Sequence, residues 1–199
     1  MTDSTTHLPR RRTRRLATVI GGAALVAALG IPSAAGAVTL GSTHVSRNSQ
    51  GAAFCGGFEN CGYVQTALPG ATTKAPFSGR IKEWNVHLED PGSLQLLVVR
   101  KQADGDFKAV AASSVRTPTT DGVKHLGANL PIHKGDRVGL NLLDENAFVE
   151  TLDATRAPLQ FFTPAFEIGT PQQPFAPFFN STEFLFNAKL QHGSIRPPD

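Results

Sequence analysis

The chain holds two cysteines, Cys55 and Cys61, in the stretch CGGFENCGY. A structural zinc site takes four ligands, and the six histidines stand singly at positions 7, 44, 87, 125, 133 and 192, so no ligand set accompanies the pair. A thioredoxin-type redox pair has two intervening residues, whereas five separate these. The chemistry that remains is a disulfide, which requires an oxidising compartment. Closing so short a loop withdraws only about 2 kcal/mol of entropy from the unfolded chain. Its expected work is local, pinning the start of a domain.

A second group of chemically capable residues lies in EWNVHLED, where Glu83, Asn85 and His87 share one face of an alternating strand and Glu89 and Asp90 follow. A carboxylate beside a histidine can act as a general base or a metal ligand. The same period-two pattern also produces a solvated outer face with no chemistry at all, and that is the expectation. Asp104-Gly105-Asp106 lacks the further spaced oxygens of a calcium loop and reads as a hairpin turn, and Asp136 in KGDR reads as the end of another. Nucleophile-elbow, H-E-x-x-H, P-loop and dinucleotide-glycine patterns do not occur, so neither cofactor nor metal is expected.

The third candidate is apolar. Eight of the 13 phenylalanines fall from Phe161 onward, and Phe175, Phe178 and Phe179 sit in TPQQPFAPFFNS beside Pro174 and Pro177. Prolines lack the ladder donor, which excludes a central strand and predicts a connection across an end or edge of the fold. Soluble proteins seldom expose a large contiguous apolar patch, so the rings are expected to cap an open end of the core. The alternative is that they face outward and contact a partner, a second copy or an apolar ligand.

The elements that must position these residues are strands. RIKEWNVHL alternates Trp84, Val86 and Leu88 with Glu83, Asn85 and His87, placing Trp84 inside. Leu94 to Val99 is nearly all apolar, as in a strand covered on both faces. FKAVAAS, DGVKHLGANLPI, RVGLNLL, AFVETLD, PLQFF and TEFLFNAKLQ follow, broken by Gly, Pro, Asn and Asp, with no sustained helical spacing. The spacing predicts an all-β, jelly-roll-like antiparallel β-sandwich over residues 53–192. An immunoglobulin-like sandwich fits less well, because its cysteines would lie far apart on facing sheets. Residues 38–52 are polar and aperiodic and are expected to form a flexible linker, and residues 193–199 a tail.

Arginines at 10–12, 14 and 15, an uncharged apolar run from Leu16 to Ile31, and small residues at Ala35 and Ala37 form the pattern of a secretory signal peptide over residues 1–37. The run is shorter than the roughly 20 residues that span a bilayer. Beyond it, 14 basic residues face 15 acidic ones. The basic excess therefore belongs to the leader, and no run of Lys and Arg supports nucleic-acid binding.

The ordered set CGYVQTALPGA, APFSGRIKEWNV, LQLLVVRK, FKAVAASS, LPIHKGDRVGLNL and FLFNAKLQ resembles a group of secreted β-sandwich proteins of Actinobacteria, over Cys55 to about Leu190. The resemblance implies fold and export and carries over no functional residues. The function expected is that of a secreted, non-catalytic extracellular domain that binds or scaffolds at the cell envelope, with a cell-envelope component or a second copy as partner. A carbohydrate-binding module is the alternative and a secreted hydrolase the third reading. Sugar platforms favour Trp and Tyr, and the single Trp84 and Tyr63 are expected in the core and beside the disulfide.

Overall fold

A computed structural model describes residues 36–175 and 179–193. Residues 1–35, 176–178 and 194–199, and with them most of the expected signal peptide, Phe178 and most of the expected tail, lie outside the described residues. Among the described residues there is no helix, and the strands run in chain order as β1 (Val38–Gly41), β2 (Gly51–Ala53), β3 (Cys61–Gln65), β4 (Gly79–Asp90), β5 (Leu94–Lys101), β6 (Phe107–Ala112), β7 (Gly122–Ile132), β8 (Arg137–Leu142), β9 (Phe148–Asp153), β10 (Leu159–Phe162), β11 (Pro171–Gln172), β12 (Thr182–Phe184) and β13 (Phe186–Gln191).

They form two antiparallel sheets packed as a β-sandwich. One follows the order β1-β13-β4-β9-β12, with β7 on the far edge of β4 and β2 on β9; the other follows β10-β3-β8-β5-β6-β11. Between them lies the main core. Trp84, Val86 and Leu88 of β4 meet Leu94, Leu96 and Val98 of β5, Leu140 and Leu142 of β8, and Phe184 and Phe186 from the last two strands. Ile81 also reaches this core although it stands three residues before Trp84, because the β4–β7 register shifts between Ile81 and Glu83 and turns the chain over.

β5 is covered on both faces, as its composition predicts. Its outward residues Leu97 and Val99 join Val64, Phe107, Ala109, Phe162 and Phe166 in a second apolar cluster on the outside of the six-stranded sheet. Phe166 is delivered by the connection after β10 and held by Asn141, whose Oδ1 accepts the Phe166 N–H at 3.0 Å while its Nδ2 donates to the Phe166 carbonyl at 3.1 Å. Gly62 makes room for it, since a Cβ there would stand 2.8 Å from the Phe166 ring. This layer also buries Asn141 among the outward positions of β8, a strand whose alternation alone suggests a wet face.

Residues 38–52 do not form a flexible linker. β1 pairs with β13 from Val38↔Leu190 to Gly41↔Asn187, and β2 pairs with β9 from Gly51↔Thr151 to Ala53↔Val149. Their backbone partners come from the far end of the chain, which is why a polar local composition gave no sign of them. The sandwich therefore begins at Val38, fifteen residues earlier than the sequence pattern suggests.

Candidate functional site

Beyond β2 the chain passes through Phe54 to Cys55, turns through Gly56 and Gly57, and returns at Cys61 into β3. Both glycines have positive φ, 61° and 91°, a region open to glycine at little cost. The two sulfurs lie at bonding distance, with Cα atoms 5.4 Å apart and both cysteines buried. This short staple holds Phe54 and Phe58 on either side of one mouth of the sandwich.

From the other side come Phe161 of β10 and the segment after β11. The Phe175 N–H donates to the Phe161 carbonyl at 2.8 Å, and Phe179 exchanges two backbone hydrogen bonds with Leu159. Pro174 thus sits in an edge connection, as expected, but Phe175 and Phe179 do not close it as a buried cap. Phe175 is 45% exposed and Phe179 49%, and across from them Phe54 is 44% and Phe58 40% exposed. The four border a groove of about 290 Å3 lined also by Tyr63, Phe161, Ala52 and Ala53. Phe178 lies outside the described residues.

Phe58, Phe161 and Phe175 form one array that connects through Tyr63 to the core, and Phe54 belongs to a separate pair. Phe175 packs edge-on against Phe58 at 5.7 Å and Phe161 at 5.9 Å, Phe161 lies 5.2 Å from Tyr63, and Tyr63 lies 5.1 Å from Phe184 in the core. Phe54 stacks on Phe148 at 4.7 Å. Edge-to-face and offset contacts of this kind fix ring positions beyond what burial alone does. The groove wall is therefore an outward continuation of the core, held by it.

Its chemistry is almost purely apolar. Tyr63 carries the one polar side chain in the lining, and its hydroxyl donates to the Phe54 carbonyl at 2.7 Å. Burial pushes the Tyr63 phenol far above its ordinary pKa, so it stays neutral. A sugar would find no free polar edge here, whereas an alkyl chain or a phenyl ring would lose nothing by entering.

The polar trio of β4 lies on one outward face, as its alternation predicts, yet each member is engaged with a different partner. Glu83 accepts from Lys189 at 2.7 Å, and that hydrogen bond holds its carboxyl below the usual carboxylate range. Asn85 is buried, donates to Asn187 at 2.8 Å and lies 2.6 Å from His125 Nδ1. His87 Nδ1 stands 3.0 Å from Glu150 Oε2 in an orientation poor for a hydrogen bond, and neither atom has another partner. Burial raises the Glu150 carboxyl above its ordinary pKa; His87 opposes this, and Glu89 and Asp121 add to it. The face is solvated at Glu83, Glu89 and Asp90 and closed over at Asn85, and among the described residues no cluster of three or more His, Cys, Asp or Glu is placed to hold a metal.

Sequence reasoning reached Phe175 and Phe179 through their prolines and missed Phe54, Phe58 and Phe161. The available signal was FCGGFENC itself, in which two bulky rings flank and occupy a loop too short to bury them. Comparison of the chain with protein-family models, with curated proteins and with solved structures finds no match.

Proposed function

We propose that the protein is a secreted, non-catalytic β-sandwich domain that acts at the cell envelope by taking an apolar group, an alkyl chain of an envelope component, into its phenylalanine groove. One observation carries the reading: four half-exposed phenylalanines from two distant chain segments line a single preformed apolar groove. Soluble proteins seldom leave such a patch without a use. The lining has no group that ionises near neutrality, which favours binding over turnover at this place. Export is supported by the leader pattern of residues 1–37, by the resemblance to secreted actinobacterial sandwich proteins, and by the paired Cys55 and Cys61, a linkage that persists in oxidising compartments.

The test is titration with an environment-sensitive hydrophobic dye, then displacement by a medium-chain fatty acid, in wild type and in Phe175→Ser/Phe179→Ser. Because each ring is already about half exposed, the double change should cost only about 1 kcal/mol per ring. Saturable dye binding that the fatty acid displaces, lost in a variant that remains folded, is the expected result. Dye binding unchanged in the variant refutes the groove. A concentration-dependent dimer abolished by the same changes reassigns the groove to a second copy of the chain.

A further inference from the structure

A second cleft, separate from the phenylalanine groove, opens beside the continuation of β1. Ser42, almost fully buried, donates its hydroxyl to Glu183 Oε1 at 2.6 Å and accepts the His44 N–H at 2.9 Å. His44 Nδ1 lies 3.1 Å from both oxygens of the same carboxylate. Glu183, on β12, is itself buried, at 5% exposure. The carboxylate thus occupies Nδ1 and leaves Nε2 as the free nitrogen of a ring that is 38% exposed. The ring faces an open cleft of about 800 Å3.

Arg47 and Asp153 line the same cleft. Among the described residues the Arg47 guanidinium makes no ion pair and no hydrogen bond, and neither does the Asp153 carboxylate. A cation and an anion thus share one cleft without pairing. Leu68 and Leu152 add an apolar floor.

We infer that this cleft binds a neutral polyhydroxylated ligand, a saccharide. A bare oxyanion would gain Arg47 but meet Asp153, and an ammonium group would gain Asp153 but meet Arg47. A hydroxyl both donates and accepts, so neighbouring hydroxyls of one sugar satisfy the guanidinium, the carboxylate and His44 Nε2 together, and its C–H face covers the leucines. Ser42 and Glu183 are positioning residues: they hold the imidazole and do not touch the ligand. The cleft lacks an aromatic platform, so binding is weak and rests on hydrogen bonds.

The experiment follows the His44 imidazole and Arg47 guanidinium resonances of the intact protein by NMR. The probes are cellohexaose, maltohexaose, xylohexaose and N-acetylated chitohexaose, with sodium phosphate as the anionic control. At least one oligosaccharide should shift both sets of signals saturably while phosphate does not. Arg47→Ala and Asp153→Asn, both at exposed positions, should each weaken that binding about tenfold or more with the thermal midpoint unchanged. The inference is overturned if none of the four saccharides moves the His44 signals, if phosphate alone saturates them, or if binding survives both substitutions. A Glu183→Gln variant that loses stability while the wild type binds no saccharide would assign the Ser42–Glu183–His44 cluster to holding β1 against β12.

Discussion

Replacing Cys55 and Cys61 together by alanine separates what the staple does for stability from what it does for the groove. The link closes a loop of seven residues, for which chain entropy gives about 2 kcal/mol. Both cysteines are buried, at 1% and 0% exposure, so removing each sulfur and leaving only the β-methyl forfeits a little packing as well, bringing the total to roughly 2–3 kcal/mol. For a domain of this size that corresponds to a fall in thermal midpoint of roughly 5–10 °C. Urea unfolding should show a lower midpoint with an unchanged or slightly larger slope, because the uncrosslinked unfolded chain exposes more surface. The second consequence is local. Phe58 sits inside the closed loop and packs on Phe161 at 6.0 Å and Phe175 at 5.7 Å, with its N–H donated to the Cys55 carbonyl at 3.2 Å. Opening the loop frees two glycines with positive φ and lets Phe58 leave the wall. Dye affinity for the groove should then drop several-fold even where the domain is fully folded. Full dye affinity in the folded double variant would refute the claim that the disulfide organises the site, and an unchanged urea midpoint would refute the entropy argument.

Trp84 is fully buried and packs edge-on against Phe186, so Trp84→Ala should cost about 3–5 kcal/mol in urea melts, and the wild-type emission should be blue-shifted and poorly quenched by iodide. Its indole N–H has no protein partner, so Trp84→Phe should cost clearly less than alanine, and equal losses would mean that the N–H is satisfied. Asp136 is buried and takes two hydrogen bonds from Arg100, whereas Lys189 and Glu83 are both substantially exposed; Arg100→Ala should therefore destabilise by about 2 kcal/mol and Lys189→Ala by nothing measurable, as read from thermal midpoints. The raised carboxyl of Glu150 means that the folded state holds its proton to higher pH than the unfolded chain does, a contribution present in acid and lost as pH rises through the raised value. Glu150→Gln should accordingly raise the urea midpoint near neutrality and reduce its difference from mildly acidic buffer; a larger difference would reverse the sign of that argument.

What the amino-acid sequence discloses here follows from how far each pairing reaches along the chain. β4 and β5 are legible because burial imprints itself residue by residue: Trp84, Val86 and Leu88 alternate with partners on a polar face, and Leu94 to Val99 are apolar except for Gln95 because a second cluster covers Leu97 and Val99 on the outside. β1 is invisible because four residues of mixed polarity become a strand only through β13, about 150 positions away. The same holds for the two candidate sites. His44 and Glu183 are 139 residues apart and neither belongs to a motif, so their contact exists only once the pairing of β1 with β13 brings the residues after β1 to Glu183. The groove falls between these extremes. Its proline-flanked half announces itself because prolines bar Phe175 and Phe179 from a central strand, while Phe54 and Phe58 read as lone rings beside a glycine turn. Only the docking of Phe175 on Phe161, with Phe58 fixed by the closed loop, turns two separate apolar segments into one surface. A ring on an edge connection is ambiguous between core cap and contact surface until its neighbours are placed. Here those neighbours already fill the space beneath it, Tyr63 and Phe161 against Phe184, so Phe175 and Phe179 have no remaining core to enter and stay at the surface.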